Sequence, residues 1–184
     1  MLDKDSYVIK ETLKNGTPIT LRAARADDGP KIRRAFRNLE RDTVYSRFFG
    51  YKSDVSDAEL ERITGADFDR DVALLVTIGS GDEEEVIAGA SYVAIEEDSP
   101  ARTAEIAFTV EEDYQGHGIA SLLLRHIVRI ARKKNLTRLQ ADVLARNLPM
   151  LAVFRRSGLP MTLQHEADVI HVALSLSEGT NVVP

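Results

Sequence analysis

The order of hydrophobic and polar positions divides the chain into runs of strand length and stretches of helical period. Residues 7–13 and 19–23 flank Asn15-Gly16, a pair that tolerates the positive φ of a tight turn, and predict a hairpin. Asp27 is then expected to cap a helix running to about Leu39, with Pro30 near its first turn and Ile32, Ala35, Phe36 and Leu39 at helical spacing. The stretch 40–54 mixes Tyr45, Phe48, Phe49 and Tyr51 with polar residues at no clean period, so it reads as a loop or broken helix. Ser56 and Glu59 form a capping box that opens a short helix ending at Gly65.

Residues 72–78 are a continuous apolar run of strand length, 79–82 a turn, and 86–95 a second strand. Asp98-Ser99-Pro100 turns the chain again into a third strand over 103–110. Three strands joined by short turns make an antiparallel meander. The period then lengthens. Over 118–133, Ile119, Leu122, Leu123, Ile127, Ile130 and Ala131 form one wide apolar face, while Ser121, Arg125, Arg129 and Arg132 hold the other. A strand over 139–144, a helix over 148–156 ending near Gly158 and a hairpin of 161–166 with 169–176 complete the pattern. Helices that cross over between strands imply parallel pairing somewhere in an otherwise antiparallel sheet, so the expected class is α+β with a mixed sheet.

At 184 residues, one domain with a modest extension is expected; no internal repeat or Pro/Gly/Ser linker divides the chain. A net charge of −5 argues against a general nucleic-acid binder. The absence of Cys excludes disulfides, thiolate zinc sites and cysteine nucleophiles. His117, His126, His165 and His171 have no ligand spacing, so no metal is expected. With charged residues through 1–20 and no apolar run of membrane-spanning length, no membrane partner is expected, and the expected location is cytoplasmic.

The segment 110–120, between a strand and the long helix, carries the chemistry. Gly116, Gly118 and the small Ala120 let a ligand approach the backbone, where unpaired amides at the positive end of the helix dipole would favour an anion such as pyrophosphate. The same glycines equally suit an ordinary strand-to-helix turn. No Gly-Lys-Ser/Thr follows, and Ser121 stands where a dinucleotide fingerprint has its third glycine, which argues against a nucleoside triphosphatase or a dehydrogenase.

Gln115-Gly116-His117-Gly118-Ile119-Ala120 resembles the Gln/Arg-x-x-Gly-x-Gly/Ala signature with which Gcn5-related N-acetyltransferases (GNAT) cradle the pyrophosphate of acetyl-CoA. A second block, 147–159, is similar to that family's Asn-x-x-Ala-x-x-Leu-Tyr-x-x-x-Gly-Phe helix. Within the family, 21–28, 45–49, 69–74 and 104–108 look most like the catalytic domain of bacterial protein lysine acetyltransferases that modify acyl-CoA synthetases. The resemblance implies a twisted, mostly antiparallel sheet with helices on both faces, a three-layer α/β/α arrangement. The domain would span 19–176, after an N-terminal extension (1–18) with an extra strand and before a tail (177–184).

The implied reaction transfers acetyl from acetyl-CoA to an amine, with protein lysine the favoured acceptor and an acyl-CoA synthetase the expected partner of a monomer or homodimer. An alkyl ammonium has a pKa of about 10.4, so near pH 7 only about one in 2,000 is nucleophilic, a deficit of roughly 4.6 kcal/mol. Relatives use a Glu at the position of Glu105, and a partly desolvated carboxylate there would take the proton. The resemblance assigns the cofactor to Phe108, Thr109 and Val110, to Gln115 through Ala120, and to Ser121, Asn147, Phe154 and Arg156. It also implies a bulge at the end of strand 103–110 that turns a backbone amide to the thioester and splays the strand from 139–144. Asn147 equally suits a helix cap. Phe154 stands where many relatives have a Tyr that protonates the leaving thiolate. Two rival readings are a small-molecule amine acetyltransferase and a non-catalytic acyl-CoA sensor, the latter favoured by Phe154.

Overall fold

Asn15-Gly16 turns the chain as its residue types require. Gly16 has φ +88°, Leu13 and Thr17 close the turn (N–O 2.9 Å), and β1 (Val8–Thr12) pairs antiparallel with β2 (Pro18–Ala23). The computed structural model describes residues 3–95 and 102–177; the expected turn at 98–100 and nearly all of the tail lie outside the described residues. After β2 come α1 (Gly29–Asn38), α2 (Arg41–Phe48), α3 (Asp57–Thr64), β3 (Asp71–Ile78), β4 (Glu85–Ala94) and β5 (Thr103–Val110). Then follow α4 (Ile119–Lys133), β6 (Arg138–Leu144), α5 (Leu148–Arg156), β7 (Met161–Glu166) and β8 (Val169–Ser175). The eight strands form one sheet in the order β1-β2-β3-β4-β5-β6-β8-β7. Every pairing is antiparallel except β5 with β6.

Two local expectations are corrected. Asp27 does not cap α1: residues 26–28 form a 3-10 turn, and Asp28 occupies the cap without bonding the helix. Its carboxylate instead takes both guanidinium amines of Arg22 (2.7 and 2.8 Å) and the Arg25 amide (2.7 Å). Arg22 is 2% exposed, and its Nε reaches Glu84, which also holds Lys31. Burial alone would raise the Asp28 carboxyl; the fork from Arg22 outweighs it and holds the group below its ordinary value. The second correction is 40–54, where Arg41–Phe48 is a continuous helix. Val44 alone is buried in it, so its order comes from tertiary contacts such as Phe36 against Phe48 (centroids 5.7 Å) rather than from an apolar stripe. Ser56 and Glu59 do form the capping box.

Two cores lie on opposite faces of the sheet. Ala73 and Leu75 of β3 pack with Ile32, Phe36 and Leu60 from α1 and α3. Leu74 and Val76, alternating with them, join Ile106, Leu139 and Val172 against Leu123, Ile127 and Ile130 of α4 and Phe154 of α5. Helices therefore cover both faces of a mixed sheet, as expected.

Candidate active site

Among the described residues β5 and β6 pair over three positions, Thr103 with Arg138, Ala104 with Leu139 and Glu105 with Gln140. Beyond Glu105, β5 stays with β4 as far as Val110, while β6 stays with β8 as far as Leu144. The strands therefore part, and a cavity of about 310 Å³ opens between them, lined by Glu105, Phe108, Asp142, Asn147 and Phe154 and by Arg47 and Phe49 of the α2 region. Phe154, 1% exposed, fills the base of this wedge and packs edge-on against Phe108 (centroids 6.0 Å, 73°).

The splay is present without the expected bulge in β5, whose register with β4 is unbroken; the shift lies between β3 and β4, at Val76/Thr77. Glu111 N donates to Ile87 O of β4 (2.9 Å). By the alternation of an antiparallel ladder, odd-numbered residues of β5 bond β4, and the backbone groups of Ile106, Phe108 and Val110 face the parted edge. The Val110 carbonyl there accepts from Gln115 Nε2 (3.0 Å). The Phe108 and Val110 amides are the donors turned into the wedge. Thr109, expected among the cofactor residues, turns its backbone to β4 instead.

At the far end of the wedge, Gly116 (φ +79°) and Gly118 (φ +90°) take conformations that L side chains rarely adopt. The first i→i−4 bond of α4 runs from Leu122 N to Gly118 O (3.0 Å), leaving the amides of His117, Gly118, Ile119, Ala120 and Ser121 ahead of it. A side chain at Gly118 would meet only Lys14 Cε, at 3.8 Å. The loop thus fits an anionic diphosphate: amides converge, the helix dipole is positive, and no Cβ obstructs approach. Lys14, on the tip of the β1–β2 hairpin, was not found by sequence reasoning; only its neighbourhood to a turn marks it, because the cradle lies far along the chain.

Glu105 sits on the rim of the wedge and is exposed, not desolvated. Among the described residues no helix covers the sheet beside it: on the same face stand half-buried Gln140 and exposed Asp142 of β6 and half-buried His171 of β8. His171 bonds Asp142 (2.5 Å) and Glu166 (3.0 Å), and these carboxylates hold its imidazole above the ordinary value. Opposite, half-buried Arg47 packs over the Phe48 ring (4.8 Å); burial and the Arg62 charge push its guanidinium below the ordinary value. Tyr45 and Tyr51 meet at a tilt of 50° (centroids 5.1 Å), with Arg146 over the Tyr45 ring (5.2 Å) and Arg41 over the Tyr51 ring (4.6 Å), tying α2 to the segment between β6 and α5.

The other expected residues divide. Asn147 caps α5 by accepting from Met150 N (3.2 Å) while also lining the wedge. Arg156 is exposed in the last turn of α5 and does not line the wedge. Tyr92 is fully buried, its hydroxyl donating to Asp69 O (3.3 Å), so it does not replace the Tyr that Phe154 lacks.

Residues 34–159 match the acetyltransferase (GNAT) family. An acetyltransferase of Pseudomonas aeruginosa is 26% identical over 140 residues, 76% of this chain and 74% of that protein. The acetyltransferase Pat of Mycolicibacterium smegmatis is 34% identical over 117 residues, 64% of this chain, but the chain spans only 34% of its length. The crystal structure of the GNAT domain of S. lividans PAT superposes with a TM-score of 0.82 at 31% identity, covering 91% of this chain and 96% of that one. A splayed β5–β6 pair beside a glycine-opened helix, and a family match across most of the chain, lead to one assignment: this protein belongs to the GNAT acetyltransferase family.

Proposed function

We propose that the protein transfers an acetyl group from acetyl-CoA to the side-chain amine of a protein lysine. The observation that carries the choice of acceptor is the uncovered sheet face of β6, β8 and β7 beside Glu105. A small amine is held by enclosure, whereas a platform open to solvent admits a lysine presented on another protein. The likeness to Pat and to the GNAT domain of S. lividans PAT supports the same choice.

In this reading the loop from Gly116 to Ser121 takes the diphosphate, Lys14 adds a cation to it, and the Phe108 and Val110 amides hold the thioester oxygen as negative charge develops on it. Acetyl-CoA supplies an activated acyl carbon. Glu105, at the junction of the wedge and the platform, receives the ammonium proton, directly or through water, as the lysine nitrogen attacks. Asp142, on the same face, favours the approach of a cation. The sulfur leaves as thiolate, since a thiol pKa of about 8.5 is low enough to dispense with an acid at Phe154, and the nitrogen gives its second proton to water or to the departing thiolate.

Incubating the protein with acetyl-CoA and an acyl-CoA synthetase, beside a panel of polyamines, aminoglycosides and amino acids, tests the acceptor. Acetyl-lysine on the synthetase is the expected result. Turnover of a free small amine alone would overturn the protein acceptor, and CoA binding without any turnover would identify a sensor.

Lys14→Ala is expected to weaken CoA binding about two- to fivefold, the scale of one exposed ion pair, and the difference should shrink as salt screens it. Calorimetric titration at low and high ionic strength measures both effects; equal affinity at low salt would remove Lys14 from the cradle.

A further inference from the structure

A second cavity, of about 140 Å³, lies between the sheet and helices α1, α2 and α3. Its floor is set by strand register. Ala73 of β3 stands opposite Ser91 of β4, and Ser91 opposite Ala107 of β5. Three small residues in a row across three strands make a trough perpendicular to the strands, about 10 Å long at the usual strand spacing. Phe36, Leu39, Phe48 and Ile63 help to enclose it. Ser91 and Ala107 are half-buried although helices lie over this face, whereas Ala73 at the inner end is 4% exposed.

The trough meets the wedge. Ala107, Arg47 and Phe48 line both cavities. Ala107 directly precedes Phe108, whose amide faces the parted edge of β5. A group attached to a carbonyl held at that amide passes over Ala107 into the trough. The geometry points to an acyl-chain subsite, which accepts donors longer than acetyl, from butyryl-CoA to hexanoyl-CoA.

A cavity near 150 Å³ lined by aliphatic and aromatic side chains takes a benzene-sized guest, so this trough holds a chain of a few carbons and not a long fatty acyl group. The thioester occupies the wedge in either case; the added methylenes exchange water for the small floor and the aromatic roof. Each contributes about 0.8 kcal/mol when fully buried, or roughly fourfold in affinity.

The inference rests on the acyl-CoA reading above, and calorimetric titration of the whole chain with CoA, acetyl-CoA, butyryl-CoA and hexanoyl-CoA separates the two. Butyryl-CoA is expected to bind roughly tenfold more tightly than acetyl-CoA, with hexanoyl-CoA at least equal to butyryl-CoA. Ser91→Leu, which fills the trough without touching the wedge, should abolish that gain while leaving acetyl-CoA affinity unchanged; Ser91→Val should reduce it in part. Affinity that is flat or falling from acetyl to hexanoyl in the wild type would overturn the subsite while leaving the cradle intact, as would a gain that survives Ser91→Leu. Failure of CoA itself to bind would overturn both.

Discussion

Glu105→Gln is expected to lower kcat/KM by about 10² to 10⁴, the range for removal of a positioned proton acceptor, while leaving acetyl-CoA affinity unchanged. The substitution preserves shape and removes only the ability to take a proton. Because Glu105 is exposed, its contribution is position and not desolvation. It stands at the last paired position of β5 and β6, where the wedge opens onto the sheet face. The variant's residual rate should climb with pH between about 6 and 10, because free amine then forms without the side chain. Rates measured across that range against wild type decide the matter. A change below about threefold with an unaltered pH profile would place the proton acceptor elsewhere.

Gly118→Val is expected to erase the stabilisation that CoA gives the fold. A ligand at a hundred times its Kd adds about 2.7 kcal/mol, which for a chain of this size raises Tm by about 5 to 10 °C. Gly118 has φ +90°, so a branched side chain either strains the loop or flips it, and the amides ahead of Leu122 no longer converge. Far-UV circular dichroism establishes that the variant is folded. A folded variant with a wild-type thermal response to CoA would remove this loop from the binding site.

Much of the architecture is legible because burial imposes period. The apolar face of α4, the run through β3 and the Asn15-Gly16 turn each carry a local signal that the fold obeys. The turn into α4 is equally legible, since glycine takes the positive-φ conformations at 116 and 118 without strain. What escapes is set by contacts distant in sequence. The helix α2 has one buried residue and is held by Phe36, Arg146 and the second core, so no window of its own sequence declares it. Asp27 reads as the cap of α1, but the helix starts one residue later, and the Asp28 carboxylate at its cap position is engaged by Arg22, six residues earlier. The exposure of Glu105 depends on no described helix lying over that face of β6 and β8, and the place of Lys14 depends on a hairpin that folds back to α4. The parting of β5 from β6 arises without a bulge in β5, from each strand following a different neighbour.

The tilted Tyr45–Tyr51 pair has an optical consequence. The chain contains no Trp and five Tyr, so all of its intrinsic emission is phenolic. Tyr7 hydrogen-bonds His126 in the core, and Tyr92 is sealed beneath the sheet, so both are insulated from events at the wedge. Tyr45 and Tyr51 lie between two guanidinium groups, one carried by α2 and the other by the segment leading into α5. A widening of the wedge that separates Arg146 from Tyr45 changes the quenching of that pair, while Tyr114, the fifth tyrosine, stands next to Gln115 and reports on the loop. Closure around a substrate is therefore readable in the unlabelled protein as a change in tyrosine emission, with Tyr51→Phe as the control that dims it.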